Sequence, residues 1–324
     1  MAIFGSGRSG STWLGAILSS HPEVVYRFEP FHRLKAFDHR TSAGLGRLRS
    51  DDFSEDDLPD IYRALLPAHP ESDKPPFFRK DHGVRARRGR SVLWPLSRRS
   101  SLIASTYQWL YSPIGNPPLI FKEVELTREF VKLATRTTMR MVYLVRHPCS
   151  VVWSISRGAD IGVMSFNRQE VLQQSLRSHD ADLADRFAPR MDELDVLQKQ
   201  ALLWRIDVEK VLKAVRSLDH VKIVLYEQLA TNPVMVSEDI LHHFQLSMSQ
   251  QTRRFLEQST QSKQVSLLKR GEMGVNRYFS VFRDPRESRD GWKRGMPVGD
   301  IDRVMDVVCD SEAFEFGLKS GTWS

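Results

Sequence analysis

Apolar residues along the chain occur both in short, nearly continuous runs and in longer segments with helical spacing. The run at residues 139–145 (MRMVYLV) is the clearest predicted strand, because a mostly apolar run of this length suits the middle of a parallel sheet. Shorter runs predict four more strands, at residues 2–5, 24–28, 119–122 and 221–225. Helices are predicted at residues 10–20, 125–135, 191–217 and 233–244, and another helix begins within residues 151–157. Strands that alternate with helices in this way predict an α/β fold with a central parallel sheet flanked by helices.

Two segments lack this regular pattern. Residues from about 40 to 115 predict an irregular insertion with a few helices, in which an acidic stretch at 51–57 precedes a basic stretch at 79–99. Residues from about 262 to 300 predict a loop region near the C-terminus. The length of 324 residues suits one large α/β domain with insertions or two smaller domains, and we expect a single domain over residues 1–324.

Composition narrows the range of ligands. The chain of 324 residues carries a formal net charge of +7, which favours anionic ligands such as nucleotides, acidic glycans or nucleic acids, although a basic surface without a specific partner is also common. No apolar run reaches the roughly 20 residues that a membrane span needs. Cys149 and Cys309 are the two cysteines, and we expect free thiols. No cluster of metal-ligand residues is evident, so we expect no metal.

A glycine-rich loop between the first predicted strand and helix carries the strongest chemical signal. Residues 5–12 read GSGRSGST, and such a loop before a helix N-terminus directs backbone N–H groups toward an anion. Gly5 and Gly10 have the spacing of a nucleoside-triphosphatase loop, G-x-x-x-x-G-K-[ST], but Ser11 stands where that loop has its lysine. The loop therefore predicts a phosphate site and disfavours hydrolysis of ATP. A P-loop kinase for a small molecule or nucleotide remains the alternative.

A second phosphate-binding pair follows the strand at residues 139–145. Arg146 stands at the carboxyl end of this strand, and Ser154 follows on the next helix. An arginine fork and a hydroxyl can hold one phosphate from two sides, and ligands of parallel α/β folds bind at this end of the sheet. The strand at 221–225 leads into Tyr226 in the same way.

These motifs together resemble those of sulfotransferases that use 3′-phosphoadenosine-5′-phosphosulfate (PAPS). Residues 7–12 (GRSGST) are similar to the family's 5′-phosphosulfate loop, in the arginine form found in carbohydrate and tyrosylprotein sulfotransferases. Residues 144–154 (LVRHPCSVVWS) resemble its 3′-phosphate motif, with His147 in place of the commoner aspartate, and residues 226–229 (YEQL) resemble its Y-E-D-L segment. The resemblance covers roughly residues 2–35, 119–160 and 200–245 and implies a P-loop-like three-layer fold.

The resemblance assigns residues to the donor. It implies that Arg8 and the backbone N–H groups from Ser9 through Gly10 and Ser11 to Thr12 hold the 5′-phosphosulfate. Arg146 and Ser154 would hold the 3′-phosphate, and Tyr226 would lie near the adenine. Arg286, Arg289 and residues 291–293 resemble the family's basic closing loop only loosely.

The same resemblance suggests catalytic residues. Glu29, in Phe28-Glu29-Pro30, is the expected base, and we expect a partly apolar site to raise its pKa; a salt bridge to Arg27 or Arg33 is the structural alternative. His32 is the rival base. Lys122, at the end of a strand, is expected to approach the sulfuryl group, as is Arg8.

The expected acceptor is a hydroxyl, and the F-E-P element favours a carbohydrate. Residues 79–99 are expected either to receive an acidic glycan or peptide or to form a solvated loop. We expect no nucleic-acid partner, since no aromatic-interleaved basic surface is apparent. The oligomeric state stays open. As the sequence stands we expect a cytoplasmic or otherwise soluble protein, and a place in the Golgi lumen if an anchor precedes it.

Overall fold

The computed structural model describes residues 1–34, 46–162, 169–177, 181–260 and 284–323. A parallel sheet of five short strands lies at its centre. The strands are β1 (Ala2–Gly5), β2 (Val25–Phe28), β3 (Leu119–Lys122), β4 (Met141–Val145) and β5 (Val221–Leu225). Their order is β2-β3-β1-β4-β5, and all four pairings are parallel. The predicted α/β fold with a central parallel sheet is confirmed.

The helices are numbered in chain order. They are α1 (Ser11–Ser19), α2 (Pro30–Arg33), α3 (Leu58–Leu65), α4 (Arg90–Ser97), α5 (Ser101–Tyr111), α6 (Thr127–Arg136), α7 (Pro148–Asp160), α8 (Gln169–Arg177), α9 (Ala181–Phe187), α10 (Val196–Val215), α11 (Tyr226–Thr231), α12 (Pro233–His243), α13 (Gln250–Thr260), α14 (Pro285–Gly295), α15 (Val298–Val308) and α16 (Glu312–Lys319). A 3₁₀ turn, Glu55–Asp57, precedes α3.

Helices cover both faces of the sheet. Successive strand residues point to opposite faces, so Ile3 belongs to one buried apolar cluster and Phe4 to another. The Ile3 cluster includes residues of α1, α12 and α13, and the Phe4 cluster includes residues of α6, α7, α10 and α15. This two-sided burial explains why the strands read as nearly continuous apolar runs.

Capping residues account for where two helices begin. Pro148 occupies the first turn of α7, and the His147 side chain accepts a hydrogen bond from the Cys149 N–H, so the helix starts before the predicted segment at 151–157. Asp195 and Gln198 form a capping box at the start of α10. The N-terminal part of the predicted helix at 191–217 therefore lies outside α10.

The C-terminal region differs from the sequence prediction. Residues 261–283, which make up much of the predicted loop at 262–300, lie outside the described residues. Residues 285–295 form helix α14 rather than a loop, because Asp284 caps the Arg286 N–H and Pro285 fits the first turn.

The insertion between β2 and β3 is tied to β2 by a buried ionic network. Arg27 is buried and uses its five N–H groups on Asp73 and on four carbonyl oxygens, those of Tyr26, Leu65, Leu66 and Pro67. The Asp73 carboxylate also accepts from Arg90 at 2.5 Å and from the Tyr107 hydroxyl at 2.7 Å. Asp73 thus links β2 to the start of α4 and to α5.

This network predicts a large cost for removing its one carboxylate. Asp73→Asn leaves Arg27 and Arg90 buried without a counter-charge, so we expect the free energy of unfolding to fall by about 3 kcal/mol in urea titrations. The control is Asp60→Asn, which breaks the exposed Arg63–Asp60 pair and is expected to cost less than about 1 kcal/mol. Equal costs for the two variants would contradict this assignment.

Candidate functional site

The loop between β1 and α1 has the backbone geometry of an anion site. Arg8 (φ 67°) and Gly10 (φ 93°) both adopt left-handed conformations, and α1 starts at Ser11 with Thr12 next to it. The hydroxyls of Ser6 and Ser9 are buried and make no hydrogen bond among the described residues. Buried hydroxyls normally have a partner, so the loop offers donors to a ligand that supplies oxygen atoms.

Tyr226 brings the third sequence motif against this loop. Its aromatic ring lies so close to Gly10 that a Cβ at residue 10 would overlap it. The Tyr226 hydroxyl donates to the Pro285 carbonyl at 3.3 Å, which holds the ring in place. Gly10 is therefore required twice, for its positive φ and for this close approach.

Arg146 and Ser154 reach the same loop from the other side. Arg8 Nε donates to Ser154 Oγ at 3.0 Å, and Arg146 Nη1 donates to the Arg8 carbonyl at 3.0 Å. The Arg146 guanidinium also lies 4.5 Å from the centroid of the Tyr226 ring and donates to the Ser288 carbonyl. Its Nε is buried without a partner among the described residues. Three motifs far apart in sequence thus converge on one site.

His147 is the N-cap residue of helix α7. Its Nδ1 accepts from the Cys149 N–H at 3.2 Å, and its ring stacks on Trp292 with centroids 4.5 Å apart. Burial, together with the nearby charges of Lys293 and Arg146, lowers the pKa of His147 to about 3, so the ring stays neutral and can accept. An aspartate could accept the same hydrogen bond.

Glu29 and Lys122 meet at the carboxyl ends of β2 and β3. Lys122 Nζ lies 2.6 Å from Glu29 Oε1, and Arg33 Nη2 lies 3.1 Å from Glu29 Oε2. Burial alone would raise the pKa of Glu29, but Lys122 and Arg33 together lower it to about 2. The expectation of a raised pKa is therefore wrong for this structure. Of the two predicted salt-bridge alternatives, Arg33 forms the bridge, while Arg27 pairs with Asp73.

His32 forms a second acid–base pair beside the first. Its Nδ1 lies 2.8 Å from Oε2 of the fully buried Glu123, whose Oε1 accepts from the Phe31 N–H. The hydrogen bond to Glu123 raises the pKa of His32, and its side chain is 39% exposed. Sequence reasoning missed Glu123, although it directly follows Lys122 at the end of a buried strand.

A further carboxylate lies beside the glycine loop. A Cβ at Gly7 would overlap the Glu125 carboxylate, and the Glu125 N–H donates to the Gly5 carbonyl at 3.2 Å. Glu125 also has a positive φ of 60°. No motif singled it out; its nearness follows from the pairing of β1 with β3.

The basic residues Arg286 and Arg289 near the C-terminus lie in a helix and not in the predicted loop. Arg289 lies in helix α14, pairs with Asp290 and donates to the Thr231 hydroxyl at 2.7 Å. The expected loop over Arg286, Arg289 and residues 291–293 is thus a helix, whose Ser288 carbonyl contacts Arg146. The signal for this helix was the Asp284-Pro285 start.

The described part of the chain contains neither a cluster of metal-ligand residues nor a membrane-spanning helix. Within those residues, no group of three or more His, Cys, Asp or Glu side chains is arranged to hold a metal ion. None of the helices there combines the length and apolarity needed to cross a membrane.

The contact between Gly10 and Tyr226 can be tested with a matched pair of glycines. Gly115 also has a positive φ, 86°, but nothing lies within 4 Å of a Cβ there. We expect Gly115→Ala to cost about 1 kcal/mol of unfolding free energy through strain alone, and Gly10→Ala about 3 kcal/mol because the ring also overlaps. Similar losses in chemical denaturation would mean that the close contact is unimportant.

Comparison with known proteins supplies the family. A family model described as the sulfotransferase family matches residues 1–250. Mouse sulfotransferase SULT7A1 complexed with PAP has a similar structure, with a TM-score of 0.50, 10% identity and coverage of 99% of this chain and 88% of that chain. The sulfotransferase domain from the Synechococcus PCC 7002 olefin synthase has a TM-score of 0.43, 14% identity and coverage of 94% and 93%. STF9 from Mycobacterium avium has a TM-score of 0.41, 14% identity and coverage of 96% and 76%. No curated protein sequence gives a match.

At these identities the mouse structure bears on the fold alone, and the predicted P-loop-like fold is confirmed by it and by the parallel sheet. The family model covers well over half of the sequence, including the glycine loop and the strand β4, which Arg146 follows. The chain belongs to the sulfotransferase family.

Proposed function

We propose that this protein transfers a sulfuryl group from PAPS to a hydroxyl group of a carbohydrate. The observation that carries the proposal is the convergence of Arg8, Ser154 and Arg146 beside the glycine loop, with Tyr226 against Gly10. A nucleotide with phosphate groups at both 5′ and 3′ positions needs two cationic ends in one site. A P-loop kinase is disfavoured because Ser11 replaces the lysine that reaches the β- and γ-phosphates.

The residues of the site fit the donor. Arg8, the N–H groups of residues 9–12 and the Ser6 and Ser9 hydroxyls, which have no partner among the described residues, would bind the 5′-phosphosulfate. Arg146 and Ser154 would bind the 3′-phosphate, and the Arg146 Nε, for which the described part of the chain offers no partner, gives that end of the site a buried donor. Tyr226 would lie near the adenine. PAPS supplies the activated sulfuryl group.

Glu29 and Lys122 would act on the reacting atoms. Lys122 stabilises negative charge on the sulfuryl oxygens and so leaves Glu29. Loss of the Lys122 partner removes one of the two cations that lower the pKa of Glu29, so that pKa rises and the carboxylate becomes a better acceptor for the proton of the hydroxyl. Arg8, which contacts Ser154, is placed to stabilise charge on the departing 5′-phosphate.

The acceptor class rests on the resemblance of Phe28-Glu29-Pro30 to the F-E-P element of Golgi carbohydrate sulfotransferases. Glu29 adopts a left-handed φ of 49°, and Pro30 begins α2, so the element turns the chain sharply at the carboxyl end of β2. After this turn, Arg33 pairs with Glu29 and His32 pairs with Glu123.

Donor binding can be measured by thermal unfolding. At 100 times its dissociation constant, adenosine 3′,5′-bisphosphate without Mg²⁺ is expected to raise the melting temperature by about 5 °C, and ATP with Mg²⁺ by less. Arg146→Ala should abolish the rise, whereas Arg128→Ala, at an exposed position on α6, should keep it. The reverse ranking of the two nucleotides would favour the kinase.

The role of Glu29 can be tested by substitution. Glu29→Gln should bind adenosine 3′,5′-bisphosphate as the wild type does but lose turnover of labelled PAPS by roughly 10²- to 10⁴-fold, because it lacks the proton acceptor. The pH profile of kcat/KM separates Glu29 from His32. With a pKa of about 2 in the free enzyme, Glu29 is ionised throughout pH 5–8, so no acid limb is expected there.

His32 would behave differently as the base. Glu123 raises the pKa of His32 above its ordinary value of 6.5. Activity would therefore fall as the pH drops through this raised pKa, because His32 then becomes protonated. If the pH profile of kcat/KM shows an acid limb, and this limb is absent in His32→Gln, then His32 is the base. Loss of nucleotide binding in Glu29→Gln would make Glu29 a structural residue.

A further inference from the structure

The insertion contains a long segment without any acidic residue. Residues 82–121 include six arginines and no lysine, aspartate or glutamate, so this segment alone carries a formal charge of +6, against +7 for the whole chain. The arginines are Arg85, Arg87, Arg88, Arg90, Arg98 and Arg99. Such a local excess of one charge attracts an anionic partner.

The same segment holds a concentration of exposed apolar side chains. Of the eleven large apolar residues exposed in the described part of the chain, five lie between residues 92 and 114. They are Val92 (63% exposed), Leu96 (45%), Leu102 (78%), Trp109 (59%) and Ile114 (56%). Exposed apolar residues are ordinary singly, but a group of this kind marks an interaction surface.

The apolar residues of α4 and α5 point outward together. At 100° per residue, Val92 and Leu96 lie on the side of α4 opposite the buried Trp94. Leu102 and Trp109 lie on the side of α5 opposite Tyr107 and Tyr111, which are buried. The two helices pack against each other and share an apolar cluster with Ala68 on their inner side. Their outer sides both lie opposite this shared cluster. We call the residues Val92, Leu96, Leu102 and Trp109, with the arginines beside them, the basic–apolar face.

Arginines border these apolar residues. The Arg85 guanidinium lies 5.3 Å from the Trp109 ring centroid and donates to the Trp109 carbonyl. Arg87, Arg88 and Arg99 are exposed. Arg98 pairs with Glu71, and Arg90 turns inward to Asp73, so these two are neutralised by neighbours. The remaining four arginines have no salt bridge to a described carboxylate.

We propose that the basic–apolar face docks on the surface of a lipid bilayer that contains anionic phospholipid. Arginines bind the phosphate headgroups, while Leu102, Trp109 and their apolar neighbours enter the boundary between headgroups and acyl chains. Tryptophan and arginine favour this interface because each combines an apolar body with a polar end. A soluble acidic glycan would match the charge but would leave the outward aliphatic side chains in water.

The test is co-sedimentation of the full chain with vesicles of phosphatidylcholine, with and without phosphatidylglycerol. We expect binding to the anionic vesicles only, weakened by salt and by about fivefold for each of Arg87→Ser and Arg88→Ser. Leu102→Asp combined with Trp109→Ser should reduce binding at least about tenfold. Met235→Asp, at a residue 62% exposed on α12, is the control that should bind as the wild type does.

Three outcomes overturn the proposal. They are equal binding by Leu102→Asp/Trp109→Ser and the wild type, binding to heparin with none to vesicles, and self-association lost in that variant without vesicle binding. Unfolding midpoints and binding of adenosine 3′,5′-bisphosphate are measured for every variant and should match those of the wild type. Because lipid binding is measured without PAPS, its failure is distinct from failure of the proposed sulfotransfer.

Discussion

The guanidinium of Arg146 joins the segments that make up the site. It donates to the Arg8 carbonyl in the glycine loop, lies against the Tyr226 ring at the start of α11, and donates to the Ser288 carbonyl in α14. The parallel sheet makes this possible, because β1, β4 and β5 are neighbours and their carboxyl ends lie at one edge. The planar fork of arginine can serve these directions at once, which a lysine could not. The buried Nε has no partner among the described residues, which is consistent with a ligand oxygen at that position.

Paired charges surround Glu29 in the second half of the site. Glu29 is neutralised by Lys122 and Arg33, and Glu123 is bound by His32 and a backbone N–H. An anionic sulfuryl group would compete with Glu29 for Lys122, so donor binding would raise the pKa of Glu29 through one ammonium group.

The sequence predicted elements whose signals are local. All five strands could be predicted, because burial on both faces makes them continuous apolar runs. The glycine loop could also be identified, because Gly10 must adopt a positive φ. Residues 286–293 were predicted as a loop because of their resemblance to a basic closing loop, whereas Asp284 and Pro285 start helix α14. Glu123 and Glu125 were missed for another reason: a single carboxylate after a strand has no pattern, and its value depends on which strands are neighbours in space. The base was predicted as Glu29 or His32, and Arg33 was predicted as a partner of Glu29. Lys122 and Glu123 could be identified as partners only from the pairing of β2 with β3.

The insertion connects the carboxyl end of β2 to the outer surface. Ser72 accepts from the Phe28 N–H directly before Glu29, and the next residue, Asp73, binds Arg27 of β2 and Arg90 at the start of α4. The buried network therefore fixes α4 and α5 relative to the strand that carries the proposed base. A charged network buried this deeply is costly to desolvate, and apolar packing would serve stability as well. The network also fixes the relative orientation of β2, α4 and α5, since each arginine fork accepts few orientations of its carboxylate. With the basic–apolar face on a bilayer, that rigidity would give Glu29 a defined orientation toward acceptors presented at the membrane surface.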